Sequence, residues 1–360
     1  MYNSRMKTST SMSRSRRIYA IYLLSILILL PTCSPYVRFM VYENKLKPTP
    51  FRTPAYRPKP LSWKTNQVTF SWLGHSTVLL NLYGTTILTD PAILKRIGPP
   101  EIWNNLFGIR RITKMPLKLE DLPKIDIILI SHVHFDHLCR PSLKKLYSLG
   151  NKDTYLIVPA NGTKVVKEIG FKNIVELNWE GPGKKNLTSI KNVEIKALRV
   201  EHYAHINYGD RKGVKTANGY MISSRGIRIA YMGDTAYMRY RTEDGGRLSD
   251  PEAVNWQKQV NPEGTDIDLC IIPIGDSHYK INHIGPGDAV KLFGEIKGRK
   301  VLPIHYDTFM LSSPDEEPDP KRMLLDALRR GSMTDAVFFE TPDKKKFFPD
   351  IGGEFVLYEK

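Results

Sequence analysis

Between Ser131 and Leu138 the chain reads SHVHFDHL, which puts three of its nine histidines and one aspartate within six residues. The apolar run Ile125–Ile130 precedes this segment and reads as a buried strand. His132 and His134 are two apart, so on an extended backbone both point to the same side. Neutral imidazole nitrogens at that spacing can grip one metal ion. Asp136 and His137 follow where the chain turns toward Pro141, and they can aim at a second point nearby. Two ions need more donors than one segment offers, and later strand ends supply them. His202 follows ALRVE, Asp234 follows IAYMG and His305 follows VLPI. An aspartate has two oxygens, so Asp234 can bridge. The expected sites are His132, His134, His202 and Asp234 for one ion, and Asp136, His137, His305 and Asp234 for the other. His205 is the rival to His202, whose place at a strand end favours it. A nitrogen-rich set without thiolates suits two zinc ions, although iron and manganese accept the same donors. Two such ions share a hydroxide poised near neutral pH to attack a phosphorus or carbonyl centre, and they stabilise the charge that develops.

Rigid elements must hold these donors. QVTFSWLG, STVLLNL and TTILTD are short β-rich runs split by turn residues, an antiparallel meander. Ile125–Ser131 is the next strand, Pro141–Leu149 a helix with proline at its start, and Thr154–Pro159 a strand. A short helix over 162–169 precedes a strand over 193–202, a pair over 219–224 and 227–234, and a buried strand over 267–274. Helices over 286–296 and near 321–330 flank a strand over 300–305, and EFVLYE closes the chain. Strands in meanders that then alternate with helices predict two sheets covered by helices on the outside, an α/β fold. No GxGxxG follows the first strand and no GxxxxGK[ST] occurs, which argues against a nucleotide-binding fold.

The chain has 360 residues and a net charge of +16, room for a large core and a bias toward anionic partners such as phospholipid, nucleic acid or phosphorylated metabolites. Three cysteines without CxxC spacing make neither a disulfide framework nor a zinc knuckle. Arg14, Arg16 and Arg17 precede an apolar run from Ile18 to Leu30, short for a membrane span and suited to the core of a signal peptide. Residues 1–32 are therefore expected to be a signal peptide or membrane anchor. Cleavage before Cys33 would make the chain a lipoprotein of the bacterial cell envelope, facing a membrane surface. Residues 33–62, rich in proline near their end, are expected to be an extended tether, with the folded domain over 63–360.

HxHxDH, followed by a later histidine, a GDT-type aspartate and a late strand-end histidine, resembles the metallo-β-lactamase superfamily. From Val68 to Phe309, the stretches WLGHSTVLL, ILTDP, LISHVHFDHL, MGDTAY, IPIG, HIGPGDAV and PIHYDTF resemble the N-acylphosphatidylethanolamine-hydrolysing phospholipase D branch. Several are also similar to the ascorbate-6-phosphate lactonase-like branch. The resemblance implies an αββα four-layer sandwich with metals at one sheet edge. It also implies a phosphodiesterase acting on an anionic phospholipid, with a lactonase or nuclease, or a non-catalytic metal-binding lipoprotein, as alternatives. A diiron oxidoreductase is disfavoured, because such relatives carry an acid where His134 stands. The resemblance places His283 beside the substrate, to bind a phosphate oxygen or assist the leaving group, with Asp136 as its partner in catalysis. His75 and Asp90 are expected to hydrogen-bond ligand imidazoles. The chain departs from the branch at Cys139, expected to be a small buried residue, at residues 275–278 and in RVEHYAH.

Overall fold

The computed structural model describes residues 52–98, 108–179, 185–202, 204, 217–242, 246–275, 282–309 and 319–359. The leader, Cys33, the first part of the tether, His205 and residues 276–278 lie outside them. Strands β1 (Gln67–Gly74), β2 (Thr77–Leu82) and β3 (Thr85–Thr89) form the expected antiparallel meander. The short pair β4 (Arg96–Ile97) and β5 (Ile109–Arg110) follows, then β6 (Ile127–Leu129), helix α1 (Arg140–Ser148), β7 (Tyr155–Pro159), the one-turn helix α2 (Thr163–Val166) and β8 (Asn173–Leu177). The chain continues with β9 (Leu187–Ile190), β10 (Val193–Arg199), β11 (Asn218–Ser224) and β12 (Ile227–Tyr231). A second short pair, β13 (Arg239–Arg241) and β14 (Arg247–Glu252), and helix α3 (Trp256–Val260) precede β15 (Leu269–Pro273), α4 (Pro286–Glu295), β16 (Val301–Ile304) and α5 (Pro320–Arg330). Strands β17 (Phe339–Glu340), β18 (Lys346–Phe347) and β19 (Glu354–Glu359) return the chain to its first sheet.

That sheet runs β18-β17-β19-β1-β2-β3-β6-β7-β8, and the second runs β16-β15-β12-β11-β10-β9. Successive side chains of a strand point to opposite faces, and here both faces are buried. Leu80, Ile87, Ile127 and Ile157 face the core that the two sheets share, while their neighbours Leu79, Leu88, Ile128 and Leu156 pack with Leu143 and Leu146 of α1. On the second sheet Leu292 and Phe293 of α4 and Leu324 and Leu328 of α5 join the shared core. The result is an α/β sandwich in four layers, αββα. Parallel pairings β3·β6·β7 and β12·β15·β16 bring the C-terminal ends of their strands to a common edge.

The main differences from the sequence reading lie at sheet edges. β14 carries half-buried and exposed, mostly polar residues in place of an apolar run, so no hydrophobic pattern announces it, and β8 is a short edge strand in which only Leu177 is fully buried. The strand expected to end at His202 stops at Arg199. Beyond it the Glu201 N–H donates to Thr235 Oγ1 at 3.0 Å, which turns the backbone out of the sheet toward Asp234. Residues 52–62, expected to belong to an extended tether, lie as a strap on the domain. Arg52 pairs with Thr113 and with Asp307 at 2.9 Å, and the Lys59 N–H donates to Glu354.

Gly275 follows β15, and a Cβ there would sit 2.0 Å from the carbonyl oxygen of His305. Backbone cannot yield as a flexible side chain would. Gly275→Ala should therefore push His305 out of place, with a loss of bound metal and a drop in thermal midpoint. Metal content and a melting curve check this, and a variant that binds and melts like the parent would contradict it.

Candidate metal centre

His132 and His134 leave β6, and the turn that follows is closed by the Leu138 N–H to the His134 carbonyl at 2.7 Å. Tyr220 from the second sheet donates to the Ile130 carbonyl at 2.8 Å, and the Asn218 N–H donates to Ser131. The motif is thus pinned across the sandwich. Gly233, just before Asp234, has φ +57°, and a Cβ there would strike Ser131 Cβ at 2.5 Å. The GD turn therefore needs glycine both for its backbone and for the close approach.

All seven expected donors meet at this edge. His132 Nε2 lies 2.9 Å from His134 Nδ1, which lies 3.2 Å from His202 Nε2, and Asp234 Oδ2 is 3.7 Å from His132 Nε2. On the other side His137 Nε2 is 3.5 Å from Asp136 Oδ2 and 3.2 Å from Asp234 Oδ2. His305 Nε2 is 3.6 Å from Asp136 Oδ2 and 3.3 Å from Asp234 Oδ1. Donors about 2.0–2.1 Å from a tetrahedral ion stand roughly 3.3 Å apart, so the spacing fits an ion within each group. Asp234 belongs to both. Buried polar atoms ordinarily find partners, yet His137 Nε2, His305 Nε2 and Asp234 Oδ1 have no hydrogen-bond partner among the described residues. Their convergence is what a cation would satisfy.

Two buried groups hold these ligands: Asp90 bonds an imidazole as expected, whereas His75 bonds the carboxylate of Asp136 instead of an imidazole. Asp90 accepts His137 Nδ1 at 2.6 Å, the Ser131 N–H at 2.7 Å and the Tyr231 hydroxyl at 2.5 Å, which leaves His137 Nε2 facing inward. His75 Nε2 meets Asp136 Oδ2 at 3.0 Å, and the His305 N–H donates to the His75 carbonyl at 3.1 Å. His75 and His305 both have left-handed backbones, φ 53° and 66°, a strain that recurs at functional sites. His283, at the approach to α4, places Nδ1 3.6 Å from Asp234 Oδ2 and is the partly exposed member of the group His202, Asp234, His283. Cys139 is buried at the N-terminal cap of α1.

Sequence reasoning missed Arg111, in GIRRITK, which looks like basic surface. Its guanidinium is buried and donates to the carbonyls of Thr113 at 2.7 Å, Ala92 at 2.8 Å and Leu73. Burial lowers it to about 9. It ties the strand end before His75 to the loop after Asp90, and only a side chain with donors fanned in a plane can do so.

Residues 85–306 match the family described as a beta-lactamase superfamily domain. The chain belongs to the metallo-β-lactamase superfamily. Within that superfamily it is 28% identical over 269 residues to N-acyl-phosphatidylethanolamine-hydrolyzing phospholipase D 1 of Caenorhabditis elegans, covering 71% of this chain and 69% of the relative. It is 30% identical to the mitochondrial enzyme of the same description from Saccharomyces cerevisiae, covering 67% of this chain and 48% of the yeast protein. The chain thus spans about half of the yeast protein. A solved structure from Veillonella parvula, described as a possible metal-dependent hydrolase, superposes with a TM-score of 0.56 at 15% identity, covering 80% of this chain and 99% of the other. The metallo-β-lactamase sandwich and metal-dependent hydrolysis follow from membership, and the donor set above is its candidate metal centre.

The charges within the cluster set its behaviour toward protons. Burial lowers His134, His202 and His283 each to about 4, and neighbouring imidazoles add to the effect. These groups contribute stability above the unfolded value near 6.5 that is lost as pH falls toward 4. Burial opposes charge on His137 and His305 too, but Asp234 and Asp136 outweigh it, raising His137 well above the usual range and His305 to about 10. Without metal the two carboxylates favour a proton on both rings, and metal must displace what they hold. Loading should release protons at pH 8, read as the dependence of calorimetric heat on the ionisation enthalpy of the buffer. Uptake with no proton release would show that the two rings are neutral before binding.

Proposed function

We propose that the chain is a dinuclear phosphodiesterase that hydrolyses N-acylphosphatidylethanolamine-like phospholipid. The observation that carries this reading is the division of the buried donors into two groups that share one carboxylate, Asp234. His132, His134, His202 and Asp234 would hold one ion, and Asp136, His137, His305 and Asp234 the other. Zinc suits these donors, and when bound it would supply Lewis acidity and activate water at neutral pH. A pair of positive centres a few ångströms apart suits the two oxygens of an in-line phosphoryl displacement. The named activities of the nematode and yeast relatives support a phospholipid substrate, and so does the net charge of +16.

The chain's own residues then have separate tasks. Asp90 fixes His137 through Nδ1, and His75 fixes Asp136, so neither ligand needs to reorganise as charge develops. Asp136 is the most accessible of the carboxylates in the cluster, with its side chain 11% exposed, and can accept a hydrogen bond from the attacking water as well as serve as a ligand. Burial lowers His283 to about 4, which favours the neutral ring, and with its side chain 14% exposed beside Asp234 it can donate an N–H to a phosphate oxygen.

Metal-replete protein should convert N-acylphosphatidylethanolamine to phosphatidic acid, and a chelator should abolish turnover. His134→Ala should lower the rate by roughly 10³-fold or more, through loss of a ligand that positions the ion. His283→Gln should keep the metal and lose about 10²-fold in kcat/KM. No turnover in a sample with full metal occupancy, alongside hydrolysis of lactones or single-stranded DNA, would end the phospholipase reading.

A further inference from the structure

The hairpin of β17 and β18 carries the run Lys344-Lys345-Lys346-Phe347-Phe348, which the metal centre does not use. Lys344, Lys345, Lys346 and Phe347 are exposed, and Phe348 is half-buried beneath the ammonium of Lys321, 4.3 Å from its ring. The strap faces this hairpin with Tyr56, whose ring centroid lies 6.1 Å from that of Phe347. Tyr56 and Phe347 are each 36% exposed and Leu61 is 71% exposed, so three large apolar side chains stand in water on adjoining segments. Scattered surface apolar residues need no explanation, but apolar side chains grouped beside a run of lysines are a candidate interaction site.

The strap that carries Tyr56 packs on the first sheet beside β1, the strand that leads to His75. Arg52, at the start of the strap, pairs with Asp307, two residues beyond His305. The main chain of Tyr56 rests on Gly352, where a Cβ would meet its carbonyl at 2.3 Å. The Gly352 N–H donates to the Trp72 carbonyl at 2.8 Å, and the Trp72 indole donates to the His75 carbonyl at 2.7 Å. Aromatic rings and lysines at one edge match the two layers of a bilayer interface, rings at headgroup depth and ammonium groups at the phosphates. Lys64 and Lys344 share Glu359 at 3.4 and 3.5 Å, and Lys345 meets Asp343 at 3.1 Å. Exposed pairs of this kind are worth little and can exchange for lipid phosphates. Upstream, 21 residues separate Leu30, the end of the apolar run, from Arg52. At roughly 3.3 Å per residue they reach about 70 Å at most, so a bilayer engaged by that run lies within range of the patch.

We propose that the β17–β18 hairpin, with Tyr56 and Leu61, docks the folded domain on an anionic phospholipid bilayer. Phe347 and Tyr56 enter the headgroup layer while Lys344, Lys345 and Lys346 meet lipid phosphates. This docking is independent of which bond the metal centre cleaves. Full-length Phe347→Trp protein is mixed with vesicles of brominated phosphatidylglycerol and phosphatidylcholine, and with brominated phosphatidylcholine alone. The new tryptophan should be quenched beyond the parental signal on the anionic vesicles, and less on the neutral ones. Lys345→Glu with Lys346→Glu should weaken partition onto anionic vesicles about tenfold or more at low salt, with metal content unchanged as the check on folding. Any contact through the N-terminal run is common to every sample, so the differences report the hairpin. Absence of extra quenching, or equal partition of the charge-reversed protein, overturns the proposal. So does a Phe347→Ser variant that turns a dimer into a monomer with lipid binding intact, which assigns the face to a second copy. A failure to hydrolyse phospholipid would leave the quenching result standing.

Discussion

A carboxylate buried between two groups of imidazoles is the constraint on which the rest of the structure depends. Asp234 is 1% exposed, and its oxygens face His132, His137, His283 and His305. An isolated ionised carboxylate is too costly to bury, so it must be neutralised by something within a few ångströms. The unpartnered atoms His137 Nε2, His305 Nε2 and Asp234 Oδ1 show that hydrogen bonds within the protein do not complete the task. A cation bound by both sides does. Protons on His137 and His305 do it less well, because a single proton cannot use the other donors at the same distance. The cluster therefore costs stability until it is filled, and the surrounding fold has to hold it open.

The scaffold meets that cost by distributing the donors over both sheets. His75, Asp90 and the HxHxDH turn come from the first sheet, Asp234 and His305 from parallel strand ends of the second, and His202 from the bend after β10. No donor can drift without moving a packed strand. Cross-sheet bonds from Tyr220 to Ile130 and from Tyr231 to Asp90 lock the layers in register at the metal edge. Arg111 does the same from beneath, joining three loop carbonyls that would otherwise lie buried and unsatisfied. Left-handed backbone at His75 and His305 is tolerated because Thr308 and the β1–β2 turn hold it, with the His75 N–H donating to Thr308 Oγ1 at 2.5 Å.

Much of this was legible in the sequence because donors and strands announce each other. An apolar run ending in HxHxDH, GD or IH reports both a rigid strand and a side chain at its end, and the meander over 67–89 has the alternation of a sheet buried on both faces. Illegible parts have a common cause, which is that their partners are distant in sequence. β14 is a polar strand and β8 a five-residue edge strand, too short and too little buried to stand out before its pairing is known. Arg111 looks like one more basic residue until the fold brings Leu73 and Ala92 to it. The bend that carries His202 out of β10 depends on Thr235, more than thirty residues later. The strap over 52–62 reads as a proline-rich linker, and only the Glu354 and Asp307 side chains, nearly 300 residues away at most, show where it lies.

The strap also changes how the charge of the chain should be understood. A net charge of +16 spread evenly would do little beyond solubility and nonspecific attraction. Here part of it is placed beside exposed aromatic rings, on the β17–β18 hairpin at one edge of the first sheet. Electrostatic attraction decays within about a Debye length, near 8 Å at physiological ionic strength, so lysines act on a surface only if something brings them to it. In the proposed docking, ring burial at headgroup depth would supply that contact. A water-filled gap between enzyme and bilayer would force a two-chain lipid to leave its apolar layer fully before reaching the donors, at about 0.8 kcal/mol for each methylene exposed. A docking surface carried on the same rigid sheet as part of the donor set would hold the domain against the bilayer and limit that gap.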